Sequence, residues 1–331
     1  MTLVSFEAAH DIGDRFLSLL SGYDIQPPSG SSLEDELLSL TQLIEVMKNP
    51  HLAQGPNETS MLRAAAGLHD LAAKVLSVQN IAEFDTFVPH LKLIAKGNVR
   101  KASLVQNAAS EYDDDTSRKM AELYMGCLAA HIGTEVVLDS PTNAKGDNPD
   151  VIFKVQQQHR IESSERWALA IKTISSRQGQ TIFERIKEGA KQIDDQKCPA
   201  DRGMVVINAK SALDHDRLWE ATFPDLQKAV EAISEQLEHL ANSSAADRPQ
   251  TEWDDLFSKG KVARPVLFLG QSLVRLPTPA GMQTPTPLKI LQVFAARGTP
   301  DPVAVQLAAA MNDSMQRIVH GEPGSYLTQP S

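Results

Sequence analysis

Two short runs of the chain hold the side chains best suited to chemistry. Asp150, behind Pro149, opens the run Asp150 to Val155, which has strand character. Side chains alternate along a strand, so Asp150, Ile152 and Lys154 share one face. In the run Trp167 to Ile174, Ala168, Ala170, Lys172 and Ile174 share a face, with Trp167, Leu169, Ile171 and Thr173 opposite. A lysine in so apolar a run is unusual, because burying an unpaired ammonium is costly. Lys172 needs a carboxylate, a phosphate or a water channel beside it, and Asp150 supplies the first if the two strands pair with these faces aligned. Glu122 is a further acid, on a helical stripe with Met125, Gly126 and Ala129, small enough to let that helix approach a sheet closely.

The elements that must position these groups follow from periodicity. A helix is predicted over Thr116 to His131, then strands at Glu135–Leu138, Asp150–Val155 and Trp167–Ile174, a helix from Thr181 to Ile193, and a buried strand at Gly203–Asn208. Three strands in sequence suggest a hairpin or meander, and the helix then crosses over to a parallel neighbour. The fold class is therefore α/β, a mixed sheet flanked by helices. Upstream, helices are predicted from Phe6 to Tyr23, after the capping-box pair Ser31 and Glu34 as far as Pro50, from Thr59 to Val78, and from Ala82 to Ala95. Pro89 kinks or divides the last of these, and Gly97 stops it. Downstream come a helix from Pro224 to Ala241, a polar loop Asn242–Gln250, a strand at Pro265–Gly270, an irregular Pro- and Thr-rich stretch Leu276–Pro287, and a helix from Val303 to Val319. This divides the chain into an N-terminal helical domain (1–112), a core (113–217) and a C-terminal α/β extension (218–331).

The helix with Glu122, the Pro149-Asp150 strand, then Ala170-Ile171-Lys172 and a following helix resemble the PD-(D/E)xK nuclease superfamily, over a quarter to a third of the chain. The resemblance implies a restriction-endonuclease-like core and metal-dependent cleavage of DNA phosphodiester bonds, of restriction or genome-defence type. It makes Asp150 and Glu122 ligands of Mg2+ (or Mn2+), Lys172 the catalytic lysine, and Gln192 a glutamine reaching the site from the next helix. Ala170 departs from the pattern, because it stands where the second acid belongs and alanine cannot ligate a metal. A displaced ligand, a diverged non-catalytic copy that binds nucleic acid or serves as a scaffold, and an inactivating change all fit that departure.

Composition narrows the partners. A net charge of -10 over 331 residues leaves no global basic footprint, so contact with nucleic acid must rest on a local patch. Arg177, Arg185, Lys187 and Lys191 could form one, although Glu184, Glu188, Asp194 and Asp195 interleave with them. Aromatics are 5% of residues, too few for a surface of base-stacking platforms. Cys127 and Cys198 form no CxxC pair and read as reduced thiols. Asp113-Asp114-Asp115 reads as a solvated turn capping a helix, Asp214-His215-Asp216 as a loop leading into the segment Arg217 to Trp219, and His131 as a packed or capping histidine. No stretch approaches a membrane span and no leader pattern opens the chain, so a cytoplasmic protein without a membrane partner is expected. The helical domain would contact DNA or a partner subunit, or mediate a homodimer.

Overall fold

The computed structural model describes residues 11–48, 58–96, 102–104, 115–142, 148–155, 165–246, 248–278, 283–319 and 321. The expectations for Phe6 to His10, Pro50, Gly97, Asp113 and Asp114 lie outside these residues. Among them stand ten α-helices and six strands, the strands in one mixed sheet with spatial order equal to sequence order. Strands β1 (Gly133–Leu138), β2 (Val151–Val155) and β3 (Arg166–Thr173) are antiparallel neighbours. Helix α6 (Gly179–Asp194) leads to β4 (Arg202–Asn208), parallel to β3, and β5 (Val266–Pro277) is parallel to β4. The hairpin partner β6 (Gln283–Phe294) completes the sheet, which therefore runs on past residue 218.

The alternation read from the sequence sorts the two faces. Trp167, Leu169 and Ile171 turn towards α5 (Asp115–Ala130), in a core shared with Val151, Phe153 and the N-terminal helices α1 (Ile12–Gly22) and α3 (Glu58–Val78). Ala168 and Ala170 turn towards α6, α8 (Leu226–Ala245) and α9 (Gln250–Phe257). Edge-on contacts run from Phe183 through Trp253 and Phe294 to Phe268, tying α6 and α9 to the β5–β6 hairpin. Among the described residues, no helix is long and apolar enough to cross a membrane.

Local chemistry explains the boundaries. Before α2 (Ser32–Lys48), Ser31 Oγ accepts the Glu34 N–H at 3.3 Å while the Glu34 carboxylate accepts the Gly30 N–H at 2.5 Å, so two orphan donors are satisfied. The predicted helix at Ala82–Ala95 is divided, as Pro89 implies, into a 3-10 turn at Phe84–Thr86 and α4 (Val88–Ile94), with Pro89 in the first turn of α4.

The stretch Leu276–Pro287, expected to be irregular, instead holds the end of β5 and the start of β6. The Leu291 N–H of β6 points outward to Asn312 Oδ1 on α10 (Pro302–Arg317), so odd-numbered positions of β6 face away from β5. Pro285 and Pro287 occupy such positions, where a missing N–H breaks no ladder bond. The Lys289 carbonyl, also outward, accepts from Gln316 on α10. The edge is thereby closed to further strand pairing.

A buried ion cluster fastens the helical layer to this hairpin. Asp70 of α3 accepts from Lys74 at 2.9 Å, Lys289 of β6 at 2.7 Å and the Tyr124 hydroxyl of α5 at 2.8 Å. Lys74 also donates to the Ile318 carbonyl at 2.5 Å, behind α10. Burial works against the Asp70 charge, but the two ammoniums together hold its carboxyl well below the usual range. A depressed carboxyl pKa adds stability above about pH 4 that disappears as acid protonates the folded form. Asp70→Asn, which strands two ammoniums, should cost about 3–5 kcal/mol in urea unfolding, and Lys289→Met, which leaves a matched pair, clearly less. Equal losses would show that the cluster does not carry this contact.

Candidate active site

Strand β2 ends at Val151, while β3 continues to Thr173. At Ile171, β3 therefore has a backbone N–H with no strand on that side to accept it. The Asp150 carboxylate takes it, with Oδ2 at 2.5 Å from the Ile171 nitrogen. Asp150 is fixed on both backbone groups as well, its N–H donating to the Leu169 carbonyl and its own carbonyl accepting the Asp139 N–H, each at 3.0 Å. Asp150 is thus held at the opening of the sheet, 7% exposed.

Glu122 reaches the same place from α5, also buried. Its Oε1 accepts from Lys119 at 2.7 Å, and Nε2 of the fully buried His90 on α4 lies 3.1 Å from Oε2. The Asp150 and Glu122 carboxyls act on one another's ionisation. Burial first, and then the Glu122 charge, push Asp150 up to about 7. Burial likewise raises Glu122, against the opposing pull of Lys119. The Lys172 ammonium favours the charged form of both acids. Burial lowers His90 to about 4, so its ring is neutral at pH 7. Beside an ionised Glu122 it must donate through Nε2–H.

Three of the expected site residues, Asp150, Glu122 and Lys172, are thus in mutual electrostatic contact. Gln192 is not among them. It adjoins Ile193, whose Cγ2 lies 3.0 Å from where a Cβ on Gly203 would stand. Gly203 pairs with Ala168, four residues before Lys172 on β3, or about 13 Å at the strand rise. Because α6 runs back from the carboxyl end of β3, its last turn lies at the opposite end of the sheet. Gln180 binds Glu184 and Arg248, Arg185 pairs with Glu188, and Arg177 donates to the Ala212 carbonyl, so these side chains form a mixed-charge surface.

Ala170 faces α6, fully buried. The helix comes so close that a Cβ on Gly189 would sit 2.9 Å from Val205 Cγ1 and 3.4 Å from the Ala170 Cβ. A carboxylate at position 170 has no room under this helix.

His90 and Lys119 belong to the site without having been singled out in the sequence. Lys119 precedes Glu122 by three residues, a helical pairing visible in the sequence. His90 is 32 residues away and gave no signal. Further along the carboxyl ends of the parallel strands, Asn208 donates to Thr173 Oγ1 at 3.1 Å, and Lys210, Gln271, Tyr124 and Asp70 line a cavity of about 20 Å3, room for one water. Open α/β sheets present their ligand crevices at this end. His215 is packed between Ser272 Oγ and the Lys210 carbonyl, and His131 bonds Ser77 Oγ. Asp214 caps α7 (His215–Glu220) by accepting the Arg217 N–H, so the triplet leads into a helix as expected, with His215 and Asp216 already in its first turn.

Comparison of the chain with protein-family models, with curated proteins and with solved structures gave no match.

Two outcomes follow from this geometry. Between about pH 4 and about 7 the folded Asp150 keeps a proton that the unfolded chain has lost, so stability falls as pH rises through that window and is flat above it. Asp150→Asn should remove this slope, on the order of 4 kcal/mol in total. Chemical unfolding at several pH values measures it, and an unchanged slope would refute the assignment. Ala170→Glu should lose about 3 kcal/mol or more by overpacking and by burying a carboxylate. An unaltered melting temperature would mean that α6 can yield.

Proposed function

We propose that the chain is a metal-dependent nuclease of PD-(D/E)xK type that cleaves DNA phosphodiester bonds, in restriction or genome defence. The observation carrying this reading is the meeting of Asp150, Glu122 and Lys172 at the opened edge of β3, two buried acids and a lysine in one electrostatic unit.

The donor set suits magnesium. Among the described residues, no three His, Cys, Asp or Glu side chains converge as a ready-made cage. Two carboxylates are what Mg2+ uses when waters and a substrate phosphate complete its shell. Asp150 and Glu122 would hold the ion, which would supply charge stabilisation at the phosphoryl oxygens and an activated water. Lys172 adds a point charge on a flexible stem where negative charge builds on the phosphate. The Ile171 N–H holds Asp150, and His90 holds Glu122, so both acids are oriented before any ligand arrives.

A second reading has its own support. Ala170 lies beneath α6 where no acid fits, and a site with one acid fewer suits a catalytically silent nuclease fold that binds nucleic acid or acts as a scaffold. Plasmid nicking separates the two. The purified protein should convert supercoiled plasmid to the open circle with Mg2+ or Mn2+, and Lys172→Ala should slow this about 100-fold or more. DNA binding at low salt without cleavage in either metal would replace the enzyme with the binding module. Cleavage unaffected by Lys172→Ala would remove Lys172 from the site.

A further inference from the structure

Lys119 is a charged group at this site to which the proposed reaction gives no role. It sits one turn before Glu122 on α5 with its Nζ 2.7 Å from Glu122 Oε1. Its side chain is 28% exposed while the Glu122 side chain is 7% exposed, so the ammonium lies at the mouth of the site and the carboxylate inside it. Glu122, Asp150 and Asp139 all favour its charged form. The ammonium therefore stands on Glu122 from the solvent side, with Lys172 on the sheet behind. His90 already secures the other oxygen of Glu122 from within, so orienting that carboxylate does not need Lys119.

We propose that Lys119 is the resident counter-ion of the site: its ammonium neutralises the acids while no metal is bound, and withdraws into solvent when a divalent cation takes its place at Glu122. The inference rests on the reading of Asp150 and Glu122 as metal ligands. The stem of Lys119 is long and its side chain is already 28% exposed, so withdrawal into solvent needs no backbone movement. Lysine suits the exchange, because its compact ammonium is strongly hydrated and loses little on returning to water. In the metal-free protein the contact offsets the cost of burying the Glu122 charge.

Trace acetylation of the full chain followed by mass spectrometry tests this directly, with surface Lys154 as internal reference. Saturating Mg2+ should raise the labelling of Lys119 several-fold relative to Lys154 as the contact with Glu122 opens. In parallel, calorimetric titration with Mg2+ should show binding to the wild-type chain and about tenfold tighter binding to Lys119→Met, which keeps the stem and removes the competing charge. Wild-type binding of Mg2+ with Lys119 labelling unchanged or slowed overturns the exchange and leaves the metal site standing. Absence of Mg2+ binding to both the wild-type chain and Lys119→Met overturns the metal site itself, and the exchange falls with it.

Discussion

The candidate site depends on one hydrogen bond, from the Ile171 N–H to the Asp150 carboxylate. A sheet in which one strand outlasts its neighbour leaves backbone donors uncovered, and an uncovered buried donor is costly. Asp150 stands just before β2 and covers the next donor of β3 with its own side chain, so the sheet can open there without leaving an orphan. The opening is what allows Glu122, from the α5 layer, and Lys172, on the strand face that carries Ala168 and Ala170, to act on the same carboxylate. An acid placed later, within β2, would face another strand, and one placed earlier would lie in the loop before it. The constraint that terminates the strand is therefore the one that places the acid.

The chain buries two aspartates with opposite outcomes. Asp70 receives two ammoniums and a phenolic hydroxyl, and its charge is secured. Asp150 receives a backbone N–H, a neighbouring carboxyl and the more distant charge of Lys172, and its proton is retained to about pH 7. Both are buried to nearly the same degree, so desolvation does not distinguish them; the partners do. The Asp70 cluster links α3, β6 and the residues after α10 and leaves its acid no further demand for positive charge. At Asp150 burial and the Glu122 charge outweigh the pull of Lys172 and Lys119, and the carboxyl keeps its proton.

Much of the core was legible because its periods are clean. Trp167 to Ile171 alternates large and small residues so regularly that its two faces could be assigned from the sequence, and Leu169 and Ala170 indeed enter different cores. The helix carrying Glu122 and the order of strands around it follow the same logic. The long β5–β6 hairpin was not legible, because Pro285 and Pro287 argue against a strand until the strand is known to be an edge. Gln192 was misplaced for a different reason: a helix of 16 residues spans the sheet, and the sequence does not say which of its turns lies over the lysine. His90 could not be found at all, since only the packing of α4 on α5 brings it to Glu122.

Ala170 looks like a loss only against the pattern it departs from. Within this fold it belongs to a set of small residues, with Ala168, Gly189 and Gly203, that lets α6 lie directly on β3 and β4. Each of the two glycines is so close to its neighbours that an added Cβ would stand within 3.0 Å of a Val205 or Ala168 atom. Packing at that distance stabilises the α6 face through contact density, and it leaves no volume for a carboxylate or its hydration. The two demands on that face, a tightly seated helix and an acid pointing from the strand, exclude each other. In this chain the helix prevails on the α6 face, and the acids gather at the free edge of β3 with the help of α5, where α6 imposes no limit.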